Sequence, residues 1–186
     1  CAYLTGILPI KRYNTQSALN NFEEYTMLSP AQLAPYFGFT EEEVASLCTG
    51  TGIDAKEMKR WYDGYEIGGE RAIYNPYAVM RAIKRGSFES YWASTNTFES
   101  LRQYITMNFD GLKADVVSLL NDVPVKVNSL RFSNDMHRVE CKDDVLTLLC
   151  HLGYLSYNNI TKCASIPNYE VRQEFEAAVA DTGWVE

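Results

Sequence analysis

Hydrophobic residues recur at helical spacing along most of this chain, and cap residues mark where the helices begin. Thr40 and Glu43 have the spacing of a capping box, which predicts a helix through Leu47 that ends at Gly50 and Gly52. The same cap and spacing signals predict further helices at 29–34, from Asp54 to Gly64, from Asn75-Pro76 to Ile83, and at 97–107, 112–120, 143–152 and 169–179.

Shorter apolar stretches between turn residues predict a few strands. Residues 2–10 are apolar and suit a short buried strand, and 66–73, with Gly68-Gly69 in its middle, predicts a β-hairpin. An extended segment is predicted around 125–130. Two strands, 154–157 and 163–166, follow the helix at 143–152, and this order of helix, hairpin and helix is typical of a winged-helix-like module. The pattern as a whole predicts an α+β fold that is mainly α.

Composition narrows the class of protein. The chain has 186 residues, of which 46% are hydrophobic, so a packed core is expected. No apolar run approaches the roughly 18 residues of a membrane span, and the first residues lack the basic segment of a signal peptide. The five cysteines are odd in number and irregular in spacing, which favours free thiols in a reducing compartment. We therefore expect a cytoplasmic protein with no membrane association.

Charge argues against a nucleic-acid surface. The formal net charge is −7, and phosphate backbones repel an acidic chain unless its basic residues cluster on one face. Arg81, Lys84 and Arg85 form a small patch on one predicted helix. A solvated helix face is the favoured interpretation of this patch, and nucleic-acid binding is the alternative.

Asp63 is a candidate catalytic acid because it lies among aromatic residues, and an apolar setting raises the pKa of a carboxyl group. The other interpretation is a residue at a helix-to-turn boundary, followed by Gly64. The second interpretation is favoured, because no further carboxylate or histidine follows at a useful spacing. The aromatic neighbours of Asp63 are expected to pack in the core or at a domain junction.

Two weak metal patterns are also present. An E-x-K string at 140–142, with Asp122 upstream, matches the residue types of a nuclease metal site, but it precedes a predicted helix and not a strand. The second pattern consists of His137-x-x-x-Cys141 and Cys150-His151, which lack the paired spacings of a structural zinc site. Cys150 is expected to pack, and His151 to be exposed or to cap a helix carbonyl. No metal site is predicted.

A set of short aromatic and turn motifs runs through the chain in a specific order. It consists of Leu4-Thr5-Gly6-Ile7, Ser17-x-x-Asn20-Asn21, Tyr36-Phe37-Gly38-Phe39-Thr40-Glu41-Glu42-Glu43-Val44, Trp61-Tyr62-Asp63-Gly64-Tyr65, Tyr74-Asn75-Pro76, Tyr91-Trp92, Ser94-Thr95, Leu152-Gly153-Tyr154-Leu155 and Ile166-Pro167-Asn168-x-Glu170-Val171. In order and spacing this set resembles the bacterial AAA-ATPase-like proteins, many of which end in a PD-(D/E)XK nuclease-like domain.

The resemblance implies a domain order. In that family the ATPase core comes first, with its phosphate-binding loop near the N-terminus, whereas this sequence contains no G-x-x-x-x-G-K-[ST]. The chain would then be a fragment of a longer protein. Residues 1–28 would be the tail of a truncated ATPase core with a short N-terminal strand, 29–122 a helical lid containing the hairpin near 66–73, and 123–186 the winged-helix-like module.

The resemblance also implies roles. Thr5 would sense the γ-phosphate, and Lys11 and Arg12 would supply positive charge near it. The chain would hold no cofactor and have no catalytic residue, while the parent protein would be an ATPase that binds ATP and Mg²⁺. The expected function is to couple nucleotide state to another domain or partner, and the alternative is a nucleic-acid-binding winged helix. The residues expected to be structural are Trp61, Tyr62, Asp63, Gly64, Tyr65, Tyr74, Asn75 and Pro76.

Overall fold

The computed structural model describes residues 5–6, 23–91, 97–107, 109–132 and 139–180. Helices predominate among these residues, and the strands are short and antiparallel. The mainly helical α+β fold predicted from the sequence is therefore confirmed. In this part of the chain, no helix is both long enough and apolar enough to cross a lipid bilayer.

The first two α-helices begin at the predicted cap residues. Helix α1 spans Glu41–Thr51 and helix α2 spans Ala55–Tyr62. The Thr40 hydroxyl accepts the Glu43 N–H at 3.3 Å, and the Glu43 carboxylate accepts the Thr40 N–H at 2.9 Å, so the capping box is complete. Helix α1 continues beyond its predicted end and stops before Gly52.

The segment ahead of α1 differs from its prediction. It is a 3-10 helix, Ala31–Phe37, and Pro30 holds the N-cap position that the sequence assigned to Ser29. Pro35 lies inside this helix and has no N–H to donate, so a regular α-helix is disfavoured there. The predicted short helix is therefore present as a 3-10 helix, and it begins and ends later in the chain than the sequence predicted.

The predicted hairpin follows α2. Strand β1, Tyr65–Ile67, pairs antiparallel with strand β2, Glu70–Ile73, across the two glycines at 68 and 69. Both glycines have positive φ, as a tight two-residue hairpin turn requires. Helix α3, Pro76–Arg85, begins at the predicted cap, because the Asn75 side chain accepts the N–H groups of the next two non-proline residues.

The second half of the chain places a small sheet among helices. Strand β5 (Cys163–Ser165) pairs antiparallel with both β3 (Val125–Lys126) and β4 (Ser156–Asn158), which gives the order β3–β5–β4. The elements of this half are α4 (Thr97–Ile105), α5 (Leu112–Leu120), β3 (Val125–Lys126), α6 (Lys142–His151), β4 (Ser156–Asn158), β5 (Cys163–Ser165) and α7 (Tyr169–Ala180).

Neither of two predicted extended segments forms a strand over all of its described residues. The segment after β3 turns into a 3-10 helix, Ser129–Arg131, because the Asn128 side chain accepts the Leu130 N–H, and Leu130 is 94% exposed. Its predicted continuation as an extended segment was therefore wrong. Thr5 and Gly6 are exposed and belong to no strand, while the other residues of the predicted strand at 2–10 lie outside the described part.

The largest hydrophobic core surrounds α6. From Asp144 to Cys150 every residue of this helix is buried, and α4, α5, β4, β5 and α7 pack around it. A second core joins α1, α2 and α3 and includes Met58 and Tyr62. The division of the chain at 122/123 stays a prediction, but the core does not follow it, since α4 and α5 share their core with the C-terminal elements.

Candidate functional site

The motif at 61–65 lies where α2 ends and β1 begins, facing α7. Met58 and Tyr62 are one helical turn apart and fully buried, and this leaves Trp61 at the edge of the core. The Trp61 ring meets the Tyr169 ring edge-to-face, with the ring centroids 4.8 Å apart. The Arg60 guanidinium lies 4.5 Å from the centre of the same Tyr169 ring.

Gly64 brings the two halves of the chain into backbone contact. Its φ is +105°, and a Cβ placed there would lie 1.8 Å from the Pro167 carbonyl oxygen. No side chain fits this space, so the position requires glycine for both its conformation and its contact. Next to it, the buried Tyr65 hydroxyl donates to the Gly153 carbonyl at 2.7 Å. Burial raises the pKa of this hydroxyl, which keeps it a donor at neutral pH.

Side chains also connect the hairpin to the second sheet. The Ser156 hydroxyl accepts the Glu66 N–H at 2.8 Å, and the Asn158 amide donates to the Glu66 carboxylate at 2.7 Å. We call this whole contact, between residues 61–66 and residues 153–174, the α2–α7 junction.

Two carboxylates on α7 extend the junction to the segment after α3. The Glu170 carboxylate is fully buried and accepts the Tyr91 N–H at 2.7 Å. The Glu174 carboxylate, one turn later and 5% exposed, accepts the Ser90 hydroxyl. Burial raises the pKa of Glu174, and the hydrogen bond from Ser90 opposes that rise. A buried carboxylate is costly unless its acceptors are used, so these bonds hold residues 90–91 against α7.

The other predicted motif residues lie beside the junction. The backbone of Tyr74 exchanges two hydrogen bonds with Phe39, at 2.8 and 3.1 Å, and the Asn75 N–H donates to the Tyr62 carbonyl at 3.2 Å. Pro76 takes the first position of α3, where no N–H is needed. Motifs that are far apart in the sequence therefore meet around one contact.

A charged cluster lies at the edge of the junction. Asp63 is 9% exposed, and one of its oxygens lies 3.7 Å from the Lys59 ammonium, which also pairs with Glu41. Burial raises the pKa of Asp63, while the Gly64 N–H and Lys59 lower it. Glu41 is a second carboxylate that the sequence analysis missed, because it precedes Asp63 on another helix. Lys59 lies between the two carboxylates, which is the geometry of a salt-bridge network. Catalysis by Asp63 stays a hypothesis.

The described part of the chain includes only one of the three predicted nucleotide-sensing residues, so their role stays a prediction. Thr5 is exposed, and Lys11 and Arg12 lie outside the described residues. Lys142 of the E-x-K string begins α6, and its ammonium pairs with Asp115 at 2.8 Å. That the string is no nuclease site stays a prediction.

The candidate metal residues have packing roles. Cys150 is buried, as predicted, and His151 stacks on Phe132 with ring centroids 5.8 Å apart, in place of the predicted exposure or capping. Burial lowers the pKa of His151 to about 4, so its ring is neutral at physiological pH. His137 lies outside the described residues, and within those residues no group of three or more His, Cys, Asp or Glu side chains could hold a metal ion.

The basic patch on α3 is partly engaged in local contacts. The Arg81 guanidinium lies 5.1 Å from the centre of the Tyr77 ring, and that of Arg85 lies 3.5 Å from the Glu89 carboxylate. The exposed side chains therefore offer a phosphate backbone less free positive charge than their number suggests.

Comparison with known proteins identifies a bacterial relative of undescribed activity. Over 173 residues the chain is 24% identical to a protein of Azotobacter chroococcum mcd 1 named "Uncharacterized protein in vnfD 5'region". The match covers 92% of this chain and 31% of that protein, so the chain spans less than a third of the length of this curated relative. No protein-family model matches the chain, and neither does any solved structure.

Replacing Gly64 by alanine should destabilise the protein by at least about 3 kcal/mol, because it adds both backbone strain and a clash with Pro167. Gly69→Ala is the matched control, since φ is +93° there and the space is open. We expect it to cost about 1 to 2 kcal/mol from strain alone. Urea unfolding measures both values, and equal losses in the two variants would contradict the importance of the close approach.

Glu174→Gln should change the pH dependence of stability. The pKa of Glu174 is raised in the folded state, so its ionisation lowers the free energy of unfolding as the pH rises from about 4.3 through the folded-state pKa. Glutamine still accepts from Ser90 but does not ionise. The stability of the variant relative to the natural chain should therefore increase as the pH rises above about 4.3 and through the raised folded-state pKa.

The control for this pH series is Glu176→Gln, which changes an exposed glutamate on the same helix. Urea unfolding at several pH values gives the difference between each variant and the natural chain. If the free energy of unfolding of Glu174→Gln differed from that of the natural chain by the same amount at every pH, burial would not raise the pKa of this carboxylate.

Proposed function

We propose that this chain is a non-catalytic regulatory and interaction portion of an AAA-ATPase-like protein. In the proposal, the parent protein binds ATP and Mg²⁺ and acts as an ATPase, and this chain couples its nucleotide state to another domain or partner. The observation that carries the proposal is the α2–α7 junction. There, Gly64, Tyr65 and Glu170 hold the two halves of the chain together by directional buried contacts.

Such a junction is suited to transmitting a conformational change from one half of the chain to the other. Close-packed contacts with fixed geometry do not deform gradually, so a displacement of α2 or of the hairpin is passed to α7. The ATPase core of the same protein would act on one half, and a protein partner or a nuclease-like domain would respond to the other. The direction of this coupling follows from the implied order of domains.

Three observations support the placement in a larger ATPase-like protein. The ordered motifs resemble that family, the sequence has no phosphate-binding loop, and the Azotobacter relative is a longer protein in which the matched part is 31%. The order β3–β5–β4 and the hairpin after α6 support the winged-helix-like part of the proposal. A cytoplasmic location belongs to the same proposal, and the four described cysteines are free thiols.

Nucleic-acid binding is a less well supported alternative. The helix that precedes the hairpin would be the recognition helix, but α6 is buried from Asp144 to Cys150. A helix that reads bases must expose polar side chains to the major groove. Helix α6 also carries Asp143 and Asp144 in its first turn, and phosphate groups would repel their carboxylates.

Titration of this chain with ATP–Mg²⁺ in a calorimeter should give no binding heat, because the residues that would surround a triphosphate belong to the proposed core. A titration with Mg²⁺ alone is the control for metal binding. Binding of ATP–Mg²⁺ at micromolar affinity would overturn the statement that the nucleotide site lies in the ATPase core and outside this chain.

Titration with a labelled DNA duplex should show no binding at about 50 mM salt, where electrostatic attraction is strongest. Fluorescence anisotropy at about 50 mM and about 200 mM salt measures this directly. Binding that weakens steeply between the two conditions would favour the nucleic-acid alternative and count against the proposal.

A further inference from the structure

A shallow groove runs between α1 and α3 in the first half of the chain. Its floor is apolar and its rim is acidic. The residues that line it are Phe39, Glu42, Glu43, Ser46, Leu47 and Met80.

In the floor, Phe39 and Leu47 pack partly against the second core, whereas Met80 lies outside that core. Helix α3 already buries Ala78, Val79 and Ala82 on its inner face. Met80 is nevertheless 49% exposed, and Tyr77, one turn earlier on the same helix, is 41% exposed. Methionine adapts its shape to different partners, so it is common on surfaces that bind other proteins.

The charge on the rim is of one sign. Helix α1 begins with three glutamates, and Glu42 and Glu43 line the groove. Glu41 is directed to Lys59 in the charged cluster, and none of the lining residues is basic. Glutamates in a first turn also stabilise the helix itself, but that role does not require an exposed methionine beside them.

We propose that this groove binds a basic amphipathic segment of a partner protein. Apolar side chains of the segment would cover Met80 and Leu47, and its lysine or arginine side chains would lie over Glu42 and Glu43. The net charge of −7 on the chain would also attract such a segment before contact.

The inference rests on the interaction role proposed above and not on its nucleotide part. The two proposals therefore fail separately. Binding of ATP–Mg²⁺ would overturn the first without touching the groove, and the peptide experiment below says nothing about the nucleotide.

The test uses a fluorescent synthetic peptide with leucine and lysine at the spacing of an amphipathic helix. Its control has glutamate in place of every lysine. The lysine peptide should bind and the glutamate peptide should not, as measured by anisotropy. On an NMR spectrum with labelled methionine methyl groups, the Met80 signal should shift as the lysine peptide is added.

Variants localise the binding. Met80→Glu and Glu42→Lys should each weaken it by about fivefold or more. Ile160→Glu is the control for an exposed apolar residue elsewhere, and Glu70→Lys is the control for an exposed glutamate. Both controls should bind within about twofold of the natural chain.

Several results would overturn the proposal. They are failure of the lysine peptide to bind, equal weakening by the control variants, and an unchanged Met80 methyl signal. Analytical ultracentrifugation tests whether a second copy of the chain occupies the groove instead. If the natural chain forms a dimer that Met80→Glu dissociates, a second copy of the chain fills the groove and the basic partner segment is wrong.

Discussion

The approach of the Gly64 backbone to the Pro167 carbonyl sets the spacing on which the α2–α7 junction depends. Any side chain at position 64 would occupy the space of that oxygen. With the two backbones in contact, Tyr65 reaches Gly153 and Trp61 reaches Tyr169. These longer contacts have directional geometry, so they form only at the separation that the glycine allows.

The buried carboxylates on α7 make the two halves depend on each other. Glu170 accepts its bond from Tyr91 and Glu174 accepts its bond from Ser90, and both donors follow α3 in the sequence. If the halves separated, these carboxylates would have to find water or remain unsatisfied. Unfolding of one half therefore exposes costly groups in the other, which favours a cooperative structure in the described part of the chain.

Local signals in the sequence predicted local structure well, and the contacts between distant segments were beyond them. The caps at Thr40 and Asn75 act within a few residues, so their helices could be located in advance. The hairpin was also predicted correctly, because its two central glycines set the conformation of the turn locally. The 3-10 turn at Leu130 was missed because the Asn128 side chain competes with the alternation of apolar residues that predicted an extended segment.

The candidate site shows the same limit. The motif at 61–65 was recognised as unusual, but its contacts with residues 153–174 depend on how the chain folds back on itself. Glu41 was not linked to Asp63, since no spacing rule joins residues on different helices. The shared core of α4, α5 and α6 was equally hidden, because Pro124 signals a local change of conformation and carries no information about packing.

The contact between β1 and β4 also covers one edge of the β1–β2 hairpin. The Ser156 hydroxyl takes the Glu66 N–H that would otherwise be available to an incoming strand, and Asn158 occupies the Glu66 carboxylate beside it. Unprotected strand edges of this kind recruit other chains into continuous sheets. Because the Ser156 hydroxyl already accepts the Glu66 N–H, a strand of another chain could pair there only by displacing it.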